Sequence, residues 1–390
     1  MSEQLVSAAL SGLDRSGIRE VMDLAASLED VIHLELGEPS FPTPPHVVEA
    51  VSAAIADGRV RYTLSRGTPE LREAIVAKLA SRNRIVADSS EVVVSSGGTT
   101  AITIAMMALL DPGDGVLFPD PGWPTFRLAT ALLRADPLPY AVRAEEGYAP
   151  DLEQVEALAP SARVLIVNSP ANPTGAVLER GRIEALLAIA ERHGLTVISD
   201  EVYEDIVFEG EHVSAAALGS EAPVISIFSF SKGYAMTGWR IGYAVAPPAV
   251  AEAMVKAQEA VIACPSDVGQ RAALAALNGP QDCLAAMRES YRGHLDAALA
   301  ALAAGGLECV VPRGAFYAMV GLGPAAQDTF AFARRLLLEE RVAVAPGETF
   351  GPAGAGTVRI SLATEPDALG RGIAGLARAV ARTTTETGGS

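Results

Sequence analysis

The sequence predicts an α/β protein: a large domain built on a mainly parallel sheet flanked by helices, joined to a smaller α/β domain. From about Arg61 to Ala246, helix-like and strand-like segments alternate, the pattern of crossover units that feed successive strands into one sheet. After Val250 the pattern turns mostly helical to about Ala304, and a further stretch follows it. The length of 390 residues exceeds one ordinary domain and suits two.

Taken in order, Thr68 and Pro69 read as an N-cap and first helical position, with Leu71, Ile75 and Leu79 on one face of the helix they open. Val92–Ser95 reads as a strand, and a helix opening at Thr99 or Thr100 should stop at Asp111-Pro112-Gly113-Asp114. Short β-branched runs predict strands at Val116–Phe118, Val164–Val167, Thr196–Ile198 and Val224–Phe228. Ile183, Leu186, Leu187 and Ala190 mark a helix between two of these. The Ala/Leu-rich stretch to Ala304 forms one long helix or two joined near Asn278-Gly279-Pro280. A last helix is marked by Leu369, Ile373, Leu376 and Val380 on one face, and the tail from Thr383 to Ser390 reads as disordered.

Apolar residues at 49% against 20% charged describe a chain able to bury a core. The formal net charge of −17 repels nucleic-acid backbones and anionic lipid, so neither is expected as a partner. The N-terminus has no basic start followed by an apolar stretch, and no run reaches the roughly 18 residues of a spanning helix, which predicts a cytosolic protein. Cys264, Cys283 and Cys309 fit neither a disulfide framework nor a C-x-x-C site. The five histidines lack paired-ligand spacing, so no metal site is expected.

Three segments carry chemistry. Ser229-Phe230-Ser231-Lys232 begins where a buried strand ends and runs on through Gly238-Trp239-Arg240. A lysine amine there can form an imine with an aldehyde, while the hydroxyls and the guanidinium accept a phosphate. Taken alone, a lysine after a strand is ordinarily a solvated surface charge. Ser95-Ser96-Gly97-Gly98-Thr99-Thr100 again reads strand, glycines, helix, where free N–H groups and the helix dipole cradle phosphate, though a glycine pair at such a turn is common without a ligand. It is not a P-loop, and Gly351–Gly356 lacks the spacing of a dinucleotide fingerprint. Asn168–Gly175 and Ser199-Asp200-Glu201-Val202-Tyr203 each close an apolar run. Turn chemistry alone explains Asn172-Pro173-Thr174-Gly175, whereas a strand-end carboxylate such as Asp200 beside a ring nitrogen keeps that nitrogen protonated.

Together these residues give a chain that resembles the class I aminotransferases, enzymes of pyridoxal 5′-phosphate (PLP) fold type I, in the subgroup whose lysine motif runs S-x-x-K-x-x-x-M-T-G-W-R-I-G-Y. The resemblance covers nearly the whole length. It begins at Leu36-Gly37-Glu38-Pro39, continues through Tyr62-Thr63 and Gly67–Arg72, and ends at Val358–Thr364. It implies that Lys232 is the Schiff-base lysine and the proton carrier, that Asp200 pairs with the pyridine nitrogen, and that Asn172 and Tyr203 bind the cofactor's phenolic oxygen. Trp123 would stack on the ring. Gly98, Thr99, Ser229, Ser231 and Arg240 would hold the phosphate, with Tyr62 reaching in from a second subunit, so a homodimer is implied. Arg359, with Asn172 and the backbone of Gly37, would clamp the substrate α-carboxylate.

The resemblance implies an N-terminal segment (1–43) that contributes to the small domain, a large PLP-binding domain (44–290) and a small C-terminal domain (291–390). It also implies a ping-pong reaction between an L-amino acid and a 2-oxo acid. Other Cα reactions use the same constellation: C–S β-elimination, an ACC-synthase-like elimination, and oxidation or deamination. A non-catalytic regulator of this fold is the distant alternative, since the residues before Gly37 leave no space for a DNA-binding domain. Thr99 after Gly98, and Ser16-Gly17-Ile18 in the N-terminal segment, put no cation beside the side-chain pocket, so neutral apolar or aromatic donors are expected over aspartate. Arg19 and Arg66 are the two residues able to reverse that expectation.

Overall fold

The computed structural model describes residues 6–13, 17–58, 60–323 and 328–388, so Ser16 and residues 389–390 lie outside the described residues. After a short strand β1 (Ile32–His33), the strands β2 (Val92–Ser95), β3 (Gly115–Asp120), β4 (Asp136–Ala141), β5 (Ala162–Asn168), β6 (Thr196–Asp200), β7 (Val224–Ser229) and β8 (Gly242–Val245) follow. β2 to β8 make a seven-stranded sheet in the order β2-β8-β7-β6-β5-β3-β4. Neighbours from β7 to β4 are parallel, and β8 runs antiparallel to β2 and β7. The carboxyl ends of β2, β3, β5, β6 and β7 therefore share one edge.

Alternation along the strands builds a core on each face. Val93, Val164 and Ile166 pack with Ile102, Phe126 and Met254 of the helices Gly98–Leu109, Pro124–Leu132 and Pro248–Ile262. The intervening Leu165 and Val167 face Leu186 and Ile189 of the helix Arg180–His193, while Val92 and Val94 face Leu71 and Ile75 of the helix Pro69–Lys78. Strand β4 was not among the expected strands because Pro137 and Pro139 break the pattern. It is tolerated because β4 is an edge strand, where a missing N–H leaves no neighbour unpaired.

The Ala/Leu-rich stretch forms three helices, Pro248–Ile262, Asp267–Asn278 and Asp282–Ala304. One break falls at the expected Asn278-Gly279-Pro280. The other comes at Ala263–Ser266, where Pro265 interrupts and Ser266 caps the next helix through Gly269 N. The closing helix Pro366–Gly388 runs past Thr383, correcting the expectation of a disordered tail there. Thr383 is buried and its hydroxyl donates to Ala379 O at 2.9 Å, a contact that tail composition does not reveal.

A second sheet is antiparallel, with β9 (Tyr317–Gly321), β11 (Ala345–Pro346) and β12 (Thr357–Ser361) in the order β11-β12-β9. Strand β10 (Val342–Ala343) pairs in parallel with β1, tying the N-terminal segment to the C-terminal one. The helices Asp282–Ala304 and Pro366–Gly388 pack Tyr291, Leu295, Leu369 and Ile373 against this sheet. No helix among the described residues is long and apolar enough to cross a membrane.

Candidate active site

A cavity of about 640 Å³ opens beside the carboxyl edge of the large sheet, walled by that edge, by residues 18–38 and by β9 and β12. Every residue given a cofactor or substrate role in the sequence lines it except Tyr62. Tyr62 is 92% exposed, away from the cavity of its own chain.

Lys232 lies in a single helical turn, Phe230–Gly233, begun by the Ser229 hydroxyl accepting from Ser231 N at 3.2 Å. This turn follows β7 directly, so the lysine emerges at the sheet edge. Its amine donates to Gly37 O at 2.5 Å and lies 5.7 Å from the centre of the Tyr203 ring. Burial, followed by the charge of Arg359, pulls the amine down to about 8.

Asp200 ends β6 and is 2% exposed, and Val202 N donates to its carboxylate at a long 3.4 Å. Burial pushes the carboxyl up to about 7, with the adjacent Glu201 adding to the rise. A desolvated carboxylate facing a cavity, with so little hydrogen bonding of its own, is built to meet a cationic N–H. Asn168 Nδ2 fixes the end of the strand by donating to Asp200 O at 3.0 Å, and Asn168 Oδ1 accepts from Asn172 N at 2.9 Å. The turn between β5 and the next helix is thereby folded back over the same edge.

Arg359 reaches the cavity from β12 and is 2% exposed. Its Nη1 donates to Asn172 Oδ1 at 3.0 Å and its Nη2 to Glu35 O at 2.5 Å, while its buried Nε has no protein partner. Burial lowers its pKa, opposed by Tyr317, Tyr203 and Glu35. A guanidinium braced on two sides, with a second N–H left on each of Nη1 and Nη2, suits a carboxylate ligand.

In the same cavity Gly98 opens the helix Gly98–Leu109, with Arg240 Nη2 and Ser229 Cβ close to Gly97 and Gly98, and Ser231 lining it as well. Arg240 is held by Thr237 O at 3.0 Å and Ser96 O at 3.4 Å. A helix N-terminus, two hydroxyls and an arginine form a site for a phosphate. Thr99 is exposed at its rim, and half-buried Trp123 stands edge-on to Phe126 at 5.6 Å between ring centres.

The structure adds residues that carried no signal in the sequence. Tyr317 lines the cavity from β9, with its hydroxyl 2.8 Å from that of Tyr203. In sequence it reads as one more aromatic of a buried strand. Ile18, Met22, Leu36 and Leu128 supply an apolar wall, and Arg19 and Glu38 are the other charged residues that reach it. Arg66 does not, because it pairs with Glu252 at 2.6 Å and donates to Ser90 O. No group of His, Cys, Asp and Glu among the described residues is arranged to hold a metal ion.

The model of the family "Aminotransferase class I and II" matches residues 29–375. The chain is 38% identical over 367 residues to the aspartate/prephenate aminotransferase of Thermus thermophilus, covering 93% of this chain and 94% of that one. It is 37% identical over 337 residues to the arginine–pyruvate transaminase of Pseudomonas aeruginosa, covering 86% of each. Its fold superposes on that of the Thermus thermophilus aspartate aminotransferase solved with maleate, with a TM-score of 0.91 at 37% identity over 96% of this chain and 99% of that one.

Proposed function

This chain belongs to the class I and II aminotransferase family and is a PLP-dependent aminotransferase, and from that premise we propose that its preferred donors are neutral apolar or aromatic L-amino acids, handled by a ping-pong reaction. The observation that carries the proposal is the cavity wall of Ile18, Met22, Leu36 and Leu128, set beside a single buried carboxylate clamp, Arg359.

The residues present fit the cofactor. Asp200 offers a desolvated carboxylate to a protonated ring nitrogen, and the corner of Gly98, Thr99, Ser229, Ser231 and Arg240 offers donors to a phosphate. Asn172 and Tyr203 would hold the phenolic oxygen and Trp123 would cover the ring. When bound, PLP supplies an electron sink for the pair released at the substrate Cα. Lys232 Nζ takes the Cα proton: with its pKa drawn to about 8, a larger share of the amine is unprotonated near neutrality than in water. Gly37 O, accepting from that amine, orients it. Arg359 and Asn172 fix the α-carboxylate, which leaves the substrate side chain toward the apolar wall. Since donor and acceptor both need Arg359, they occupy the site in turn, as a ping-pong scheme requires.

A side-chain carboxylate placed against that wall would lose its hydration at a cost of several kcal/mol without a cation beside it. Thr99 supplies none, and Arg66 is committed to Glu252. Arg19, exposed at the rim with Met22 Sδ 4.0 Å away, is the residue through which a longer dicarboxylate such as glutamate gains entry. The test is kcat/KM for aspartate against alanine, methionine, leucine and phenylalanine, with the released 2-oxo acids identified. Aspartate exceeding the best neutral donor tenfold or more would refute the preference.

The same reading extends to a cytosolic homodimer. Tyr62 is 92% exposed beside Leu64 at 58% and lies outside the cavity of its own chain, which supports a role for its hydroxyl at the phosphate site of a second chain. It also divides the chain into the segment 1–43 and the region 291–390, which share the small domain, and the PLP-binding domain 44–290.

A further inference from the structure

We propose that Tyr317 is a positioning residue with two separable tasks: its ring braces Arg359, and its hydroxyl turns the Tyr203 proton into the cavity. The proposal rests on the roles given above to Arg359 and Tyr203.

The ring comes first. The Arg359 guanidinium carbon lies 4.2 Å from the centre of the Tyr317 ring, and both side chains are buried, at 2% and 1% exposure. A cation over a desolvated ring face is held more strongly than one at the surface. Phe350 lies 4.9 Å from the same guanidinium, so two aromatic rings confine it. Their hold fixes the plane of the guanidinium, and with it the direction of the second N–H on each of Nη1 and Nη2.

The hydroxyl acts through Tyr203. The two phenolic oxygens are 2.8 Å apart, and one proton lies between them. If Tyr317 donates that proton, the Tyr203 hydroxyl is an acceptor toward Tyr317 and its own hydrogen is left for a ligand oxygen. If the roles reverse, Tyr203 has no hydrogen to give. Both hydroxyls are buried, and the Arg359 guanidinium carbon stands 4.2 Å from the centre of the Tyr317 ring, a positive charge that makes Tyr317 the better donor. Gly37 leaves room for the hydroxyl: a Cβ there would stand 2.4 Å from Tyr317 Oη. The same Gly37 offers its carbonyl to Lys232. Tyr317 therefore touches the clamp, the phenolic-oxygen donor and the segment that orients the lysine.

The experiment compares PLP-loaded wild type, Tyr317→Phe, Tyr317→Leu and Tyr203→Phe, with Tyr317→Met as the bulkier replacement should the leucine variant not fold. Two quantities are read: the pH midpoint of the bound cofactor's absorbance without substrate, and the KM and kcat for one neutral donor. Tyr317→Phe keeps the ring, so KM stays within about twofold, while the midpoint moves in the same direction as in Tyr203→Phe by on the order of half a unit. Tyr317→Leu moves the midpoint equally and raises KM by about fivefold or more. A wild-type midpoint in Tyr317→Phe overturns the hydroxyl's task, and a wild-type KM in the leucine or methionine variant overturns that of the ring. An unmoved midpoint in Tyr203→Phe itself would instead show that Tyr203 does not hold the phenolic oxygen.

Discussion

Replacing Arg359 by lysine keeps the positive charge and removes the fork. In the structure one N–H of Nη1 goes to Asn172 Oδ1 at 3.0 Å and one of Nη2 to Glu35 O at 2.5 Å, which leaves the second N–H of each for a carboxylate. A single ammonium cannot satisfy both acceptors and also grip a carboxylate, because its donors share one atom. Charge-assisted hydrogen bonds contribute about 1.5–3 kcal/mol each. Losing one between clamp and substrate therefore lowers kcat/KM by roughly 10- to 150-fold at about 1.4 kcal/mol per decade. The loss is expected mainly in KM, since the clamp holds the carboxylate before and during the reaction alike. Cofactor affinity should stay within about threefold, because Arg359 bonds Asn172 and Glu35 O and none of the groups of the phosphate corner. The assay is steady-state kinetics with one neutral donor, alongside fluorescence titration of the cofactor-free protein with PLP. A kcat/KM within threefold of wild type would refute the clamp, and an equal loss of PLP affinity would place Arg359 on the cofactor.

Lys232→Ala should abolish turnover while circular dichroism and melting temperature show a folded protein, and near-normal activity would sink the assignment of the lysine. Asp200→Ala should slow the reaction by several powers of ten, and a loss of less than about tenfold, roughly 1.4 kcal/mol, would remove Asp200 from its role. In the cofactor-free protein, burial pushes the Asp200 carboxyl up to about 7 from its ordinary 3.8, so the folded state holds the proton more tightly. Stability contributed at low pH is then lost as pH rises through that window, and Asp200→Asn should remove the decline; parallel melting curves of the two proteins from pH 4 to 8 would contradict this. Sedimentation at assay concentration should show a dimer, and Tyr62→Phe should weaken PLP binding without changing the melting temperature of the cofactor-free protein; a fully active monomer would overturn both expectations.

Much of this protein was legible in its sequence because its chemistry is concentrated in short contiguous segments. Lys232 follows a buried strand by three residues, Asp200 ends another, and Gly98 opens a helix; strand, turn and helix periodicities place such residues at one sheet edge without any knowledge of distant contacts. Boundaries that depend on local breakers, such as Thr68-Pro69 and Asn278-Gly279-Pro280, were legible for the same reason. Strand β4 was not, because its prolines are acceptable only at a sheet edge, and edge position belongs to the whole sheet. Nor was the helical continuation past Thr383, since the burial of Thr383 is a tertiary contact. The sequence also left Arg19 and Arg66 equivalent. Tertiary structure separated them, tying Arg66 to Glu252, 186 residues away, and leaving Arg19 at the cavity rim. Tyr317 shows the limit most plainly: its partner Tyr203 lies 114 residues away, and Arg359 meets the carbonyl of Glu35 across 324. Such pairs join a strand of the second sheet to a turn or loop far away in the chain, and local periodicity determines which face a side chain takes but not what packing will bring against it.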